Sequence, residues 1–279
     1  MKTLRLLSIF ACLSFISFPS FFMAAAHAQP AKEFKPEVGQ EGKDVVWVPT
    51  SQALVNKMLD MAKATPKDYV IDLGSGDGRT VITAAKRGIK ALGIEYNPDM
   101  VTLSKAAAAK EGVSERATFM KADLFETDFS QATVITMFLL PDINLKLRPK
   151  ILGLKPGTRI VSNTFTMGEW EADETGTAAS DEGSSYYRTA LLWIVPAKVE
   201  GVWKSTQGDI SFKQEFQKVS GSINAGGVST LVTGGKLRGD QISFSAGGAQ
   251  YTGTVADGTI TGTAVAGGAS REWSATRSR

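Results

Sequence analysis

The stretch "YVIDLGSGDGRT", Tyr69 to Thr80, ends an apolar run in an acid, Asp72, and then sets Gly74, Gly76 and Gly78 at alternate positions before a helix-like pattern begins. Glycines there let the backbone approach a ligand where a Cβ would collide, and a helix start offers free N–H groups. The chemistry this allows is recognition of an adenosine-bearing cofactor. Two further acids fit it. Glu95, about twenty residues on at the end of a second apolar run, is placed to accept from both ribose hydroxyls. Asp123, at the end of a third run, is placed to accept from an adenine amino group. Dinucleotide loops use G-x-G-x-x-G, and the third glycine of that pattern would fall on Arg79. A nicotinamide oxidoreductase therefore fits poorly.

Those acids must stand at strand ends, and the pattern around them supplies strands. "YVIDL", "KALGIEY", "ATFMKAD", "ATVITMFLL" and "TRIVSNTF" are short and rich in β-branched residues. Helical patterns alternate with them: "TVITAAKRG", "PDMVTLSKAAAAKEG" and "INLKLRPKILG". "SQALVNKMLDMAK" precedes the first strand as a helix capped by Ser51. This alternation predicts an α/β fold, a doubly wound parallel sheet, over residues 45–197, with "YYRTALLWIVPA" as its last strand. Residues 198–279 change texture: strand-length runs joined by Gly turns predict a small antiparallel β-barrel or sandwich, with Trp203, Phe212, Phe216, Phe244 and Trp273 in its core.

The N-terminus reads as an address. Lys2 and Arg5 precede a long apolar run that ends in Ala26-His-Ala28, so residues 1–28 read as an export signal cleaved before Gln29. The alternative is an uncleaved membrane anchor, since the run approaches the roughly 20 residues that cross a bilayer. Either way the rest of the chain is expected outside the cytosol, periplasmic or secreted. Residues 29–44 are polar and Pro-rich and read as a flexible tether. The chain of 279 residues has one cysteine, Cys12, and one histidine, His27, both inside that signal. A mature chain would lack Ser-His-Asp catalysis, cysteine nucleophiles, Cys/His metal sites and disulfides. The formal charge of +3 falls to +1 once Lys2 and Arg5 are removed, which implies no nucleic-acid partner.

G-x-G-x-G with acids at the next two strand ends is the pattern of class I S-adenosylmethionine methyltransferases. More specifically, "VPTSQALVNKML", "DLGSGDGRTVITAAKRG", "GIEYNPDMV", "KADLFETDFSQATVITMFLLPDINLKLRPKI" and "LKPGTRIVSNTFTMGEW" resemble the mitochondrial lysine methyltransferases of the ATP synthase c-subunit and the adenine nucleotide translocase, with their bacterial relatives. The glycine loop is also similar to that of Dot1-type histone methyltransferases. The resemblance covers residues 48–197 and not the β-rich tail. It implies S-adenosyl-L-methionine as cofactor and a protein lysine, on a soluble or membrane-associated acceptor, as substrate. Asp72, Gly74, Ser75, Gly76, Asp77 and Gly78 would hold the methionine part and Glu95 the ribose. Asp123 with Leu124 would meet the adenine, and Pro49 and Thr50 would close over the cofactor. Phe138 to Pro141, Asn163 and Phe165 would line the methyl-transfer channel.

The residues after the fourth strand narrow the acceptor. "TMFLLP" is not the Asn/Asp/Ser-Pro-Pro-aromatic segment that grips a flipped base, offers no carboxylate for Mg²⁺, and has no base for a phenol. An amine asks for less. Desolvation helps lysine lose its proton, and an apolar channel then aligns the neutral nitrogen for in-line attack. Phe138, Phe165 and Trp170 are candidates for the channel wall, and Asn163 for orienting the amine. Because the cofactor is made in the cytosol, an exported chain keeps a second reading open: a protein that binds S-adenosylmethionine without turnover, with the β-rich tail as its working module.

Overall fold

The computed structural model describes residues 34–179 and 186–278. The apolar run at residues 1–28 lies outside them. Among the described residues no helix is long and apolar enough to cross a membrane.

The first part is a seven-stranded sheet. Its strands are β1 (Tyr69–Leu73), β2 (Lys90–Glu95), β3 (Ala117–Lys121), β4 (Val134–Met137), β5 (Arg159–Asn163), β6 (Glu174–Thr177) and β7 (Thr189–Ile194), in the order β3-β2-β1-β4-β5-β7-β6. β1 to β5 are parallel, whereas β7 runs antiparallel between β5 and β6. β6 lies in a segment whose sequence reads as polar loop, because "ETGT" carries no apolar alternation. The run "ATVITMFLL" pairs only as far as Met137. Phe138, Leu139 and Leu140 leave the sheet and lead into a helix.

Four helices cover the sheet: α1 (Gln52–Met61), α2 (Arg79–Lys86), α3 (Pro98–Lys110) and α4 (Pro141–Leu152). Side-chain caps set two of their starts. Ser51 caps α1 by accepting from the Leu54 amide at 3.3 Å, and Asn97 caps α3 by accepting from the Asp99 amide at 2.9 Å ahead of Pro98. Leu54, Val55, Met58 and Leu59 give α1 a buried stripe, and each such side chain contributes about 1.5–3 kcal/mol of transfer free energy. Alternation along the strands feeds two cores. Val70, Val134, Val161 and Leu192 join α1, α2 and α3, while Ile71, Ile135, Ile160 and Leu191 join α4 with Phe129, Met167 and Trp170.

The second part is a closed antiparallel barrel, which decides between the two architectures left open above. Its strands are β8 (Gly201–Ser205), β9 (Gly208–Glu215), β10 (Lys218–Ala225), β11 (Val228–Arg238), β12 (Gln241–Ala246), β13 (Ala249–Ala256), β14 (Thr259–Ala266) and β15 (Ala269–Arg277), and β15 closes on β8. Paired left-handed residues such as Gly226-Gly227 and Gly247-Gly248 make its two-residue turns. Trp203, Phe212, Phe244 and Trp273 are buried inside.

Phe216 corrects the expectation of a barrel-core role. It sits in the turn between β9 and β10 at φ +52°, which turns its ring out of the barrel. There it stacks on Trp170, with centroids 6.0 Å apart and planes 12° apart, and lies under the Arg148 guanidinium. Polar contacts extend this junction: Gln217 donates to the Glu171 carbonyl at 2.8 Å, and Lys218–Glu171 and Arg238–Glu174 are ion pairs. The barrel is thus fixed against the segment that leads into β6. Trp170, expected in the channel wall, is fully buried in this junction instead.

Candidate active site

Ligand crevices in open α/β sheets form where strand order reverses, outside the strand carboxyl ends. Here that point lies between β1 and β4, and the cavity that opens there is lined by Gly74, Ser75, Gly76, Asp77, Glu95 and Asp123, with Leu124 beside them. Gly74 (φ +76°) and Gly76 (φ +51°) adopt left-handed backbone, and a Cβ on Gly76 would stand 2.6 Å from the Trp47 indole nitrogen. Only glycine fits that position while Trp47 is in place.

Glu95 ties two turns together. One carboxylate oxygen accepts from the Gly76 amide and the other from the Asn97 amide, both at 2.9 Å. Bonds from two backbone amides fix its orientation and leave lone pairs toward the cavity. Asp77 is held by Arg79, whose Nε lies 3.0 Å from each of its carboxylate oxygens and whose Nη1 donates to the Thr50 carbonyl at 2.8 Å. In the sequence Arg79 matters only as a missing glycine. In the structure it clamps the Pro49-Thr50 segment onto the glycine loop.

Asp72 is buried beneath that loop and accepts from the Thr136 hydroxyl at 2.6 Å. Burial pushes its carboxyl up to about 7, with Asp77 and Glu95 adding repulsion and Thr136 and Thr80 pulling the other way. The sign follows from linkage. The unfolded chain gives up this proton near the ordinary value of 3.8, so the free protein loses stability as pH rises toward 7. A ligand bearing an ammonium group favours the ionised carboxyl. S-adenosylhomocysteine should therefore bind more tightly as pH is raised from 5.5 to 7.5, by up to about tenfold per unit. Calorimetry with wild type and Asp72→Asn checks this, and the variant should show a flat profile.

Residues 34–44 do not behave as the unpacked tether expected over residues 29–44, of which residues 29–33 lie outside the described residues. Gly39 donates to the Trp47 carbonyl and Trp47 to the Gln40 carbonyl, at 2.8 and 2.9 Å, and Glu41 bridges to Val46. Lys43, near the tip of this turn, pairs with Asp123 and lies 4.6 Å over the Tyr96 ring. It holds the Asp123 carboxyl below the ordinary carboxylate value by hydrogen bonding. A tether reading misses this because Lys43 and Trp47 find their partners 80 and 29 residues downstream.

At its other end the cavity is walled by Phe138, Leu139, Leu140, Ile143, Phe165 and Tyr187. The Phe138 and Phe165 rings stack with centroids 5.8 Å apart, and Tyr187 meets Phe138 at 5.0 Å and Phe165 at 6.0 Å. No sequence signal singles out Tyr187, which the antiparallel insertion of β7 brings beside β5. Three expected residues stand elsewhere. Asn163 is fully buried behind the wall, its amide donating to the Thr50 hydroxyl and its oxygen accepting from Thr164. Pro141 starts α4 outside the cavity. Gly78 is the left-handed N-cap of α2, packed on Phe119 and Ser104, and does not line the cavity.

Comparison with known proteins agrees with this geometry. A family model described as the ANTKMT methyltransferase domain matches residues 72–174, ending before the first barrel strand. A protein-lysine N-methyltransferase of Saccharolobus islandicus is 47% identical over 154 residues, which are 54% of this chain and 94% of that protein. The human lysine N-methyltransferase of the ATP synthase c-subunit is 34% identical over 128 residues, 46% of this chain and 54% of that relative's length. A solved structure described as an RNA methyltransferase from Salinibacter ruber, in complex with S-adenosyl-L-homocysteine, is 42% identical and superposes with a TM-score of 0.50, covering 55% of this chain and 96% of that one. None of these matches favours a protein that binds without turnover.

Proposed function

We propose a function from one premise: the chain belongs to the ANTKMT methyltransferase family and is an S-adenosylmethionine-dependent enzyme. Its acceptor is a lysine side chain of a protein, and transfer occurs by in-line attack of the neutral amine. The cofactor, when bound, supplies a methyl group on a positively charged sulfur that a nucleophile can take without covalent help from the protein. What remains for this chain is binding, orientation and exclusion of water.

The observation that carries the acceptor assignment is the wall of Phe138, Phe165 and Tyr187 at the end of the cavity away from Asp123. No carboxylate stands among the described residues of that wall. Ring faces attract an incoming ammonium, and an apolar wall lowers the cost of its losing a proton. At the other end Glu95 and Asp123 would accept from the adenosine, Asp72 would face the ammonium of the methionine part, and Gly74 and Gly76 would let the backbone approach. Gly78 and Asn163 act by holding α2 and Thr50 in place. We also place the working enzyme outside the cytosol, which rests on the charged, apolar and Ala-x-Ala pattern of residues 1–28.

The test is labelling with methyl-tritiated cofactor in separate protein and RNA fractions, followed by acid hydrolysis of the labelled protein. Tritium in methyl-lysine is the expected result. Label only in RNA, in keeping with the name given to the Salinibacter structure, overturns the lysine assignment. Cofactor binding with no transfer to either fraction overturns the enzymatic reading for these acceptors.

A further inference from the structure

We propose that Tyr187 is the group that orients the acceptor amine, its phenol oxygen accepting an N–H bond so that the nitrogen lone pair points at the methyl group. This rests on the amine-acceptor reading above, which uses the Tyr187 ring as wall and gives its hydroxyl no role.

Three observations support it. Tyr187 contacts both Phe138 and Phe165, so it belongs to the same wall, and of the three rings it alone carries an oxygen. Among the described residues that oxygen has no hydrogen-bond partner. An aromatic ring bearing an unused polar group beside a cavity is suited to serve what enters the cavity.

The third observation is anchorage. Arg188 donates to the Ala178 carbonyl through Nε and Nη2, at 3.2 and 2.9 Å, and its own carbonyl accepts from the Ala178 amide at 2.9 Å. On the other side the Thr164 amide donates to the Thr189 carbonyl at 2.7 Å. The backbone on the C-terminal side of Tyr187 is therefore held to the β6 side and to the segment after β5. Tyr186, one residue earlier, is 88% exposed. A fixed backbone is what an orienting group needs.

Ring faces attract a cation without fixing its rotation about the side-chain axis. A hydroxyl oxygen adds a direction. Once the amine is neutral, one N–H committed to that oxygen leaves the lone pair less freedom, which favours the near-attack arrangement.

The experiment separates this role from a structural one. Two nitrogen analogues of S-adenosylhomocysteine replace its sulfur by a nitrogen carrying either a 2-aminoethyl arm or an isosteric propyl arm. Both are titrated calorimetrically into wild type and Tyr187→Phe, with S-adenosylhomocysteine as reference. Wild type should prefer the aminoethyl arm by about tenfold, the scale of one hydrogen bond to a charged group. Tyr187→Phe should bind the reference unchanged and fall to the smaller preference that the ring faces alone give a cation. A variant that keeps the full wild-type preference overturns the proposal and leaves the amine acceptor standing. A wild type that binds the reference but shows no preference overturns the amine acceptor itself. Weakened binding of the reference in Tyr187→Phe would overturn the proposal by assigning the residue to the architecture of the pocket instead.

Discussion

Glu95→Ala should weaken binding of S-adenosylhomocysteine by roughly two orders of magnitude while the protein stays folded. Two ribose hydroxyls donating to one charged carboxylate contribute about 1.5–3 kcal/mol each when such bonds are lost singly. The substitution also releases the Gly76 and Asn97 amides, which Glu95 holds at 2.9 Å, so the glycine loop loses its tie to the end of β2. Both effects act on binding, and neither removes buried apolar area. Calorimetry with the variant, beside circular dichroism to confirm folding, measures it. Glu95→Gln should fall between the two proteins, because a neutral amide keeps one accepting oxygen and loses the charge. A binding constant within about threefold of wild type in Glu95→Ala, well short of the loss of even one such bond, would mean that the ribose is held elsewhere.

Gly78→Ala should act on stability, although the motif that contains it reads as a ligand loop. Position 78 has φ +80°, and a Cβ there would lie 2.7 Å from the Phe119 ring and 2.8 Å from the Ser104 Cβ. The left-handed backbone costs an alanine about 1 kcal/mol or more, and overpacking a fixed core adds about 1–3 kcal/mol. Phe119 lies in β3 and Ser104 in α3, so no flexible tip can yield. Together these predict a loss of about 2–4 kcal/mol, read as a fall of several degrees in the melting temperature. Any molecules that remain folded should bind the cofactor product with near-native affinity. The reverse outcome, unchanged melting with lost binding, would return Gly78 to the ligand site.

Gly76 and Gly78 show where sequence reasoning stops. G-x-G-x-G marks its three glycines equally, because each needs positive φ. Which of them lines the cavity and which packs away from it depends on what the rest of the chain brings alongside. Gly76 receives Trp47 from the N-terminal turn, and Gly78 receives Phe119 from β3. Asn163 illustrates the same limit: its place at the end of β5 suggests a channel residue, yet its carboxamide is consumed by Thr50 and Thr164.

Local pattern determined a good deal. Short apolar, β-branched runs mark β1 to β5, whose central members β1, β4 and β5 are buried on both faces, and period-3.6 spacing marks the helices between them, each of which buries one face on the sheet. The Ser51 cap is visible because it satisfies an amide three residues on. The strand-end acids are legible because a cofactor bound across the switch point draws on the ends of consecutive strands.

What only the tertiary structure decided involves partners distant in the chain. Closure of β8 to β15 into a barrel depends on pairing residues far apart in sequence, such as Ala275 with Ser205, and alternation alone is the same in a sandwich. Tyr187 meets Phe138 and Phe165 because β7 inserts antiparallel beside β5. Phe216 leaves the barrel because its turn adopts φ +52° and Trp170 awaits its ring. By itself the sequence determined the cofactor class and the sheet that carries it, because local spacing encodes which face of each element is buried. Of the proposed acceptor wall, Phe138 and Phe165 were legible just beyond the ends of their strands, and Tyr187 was decided in space, because no spacing rule relates it to them until β7 is paired with β5.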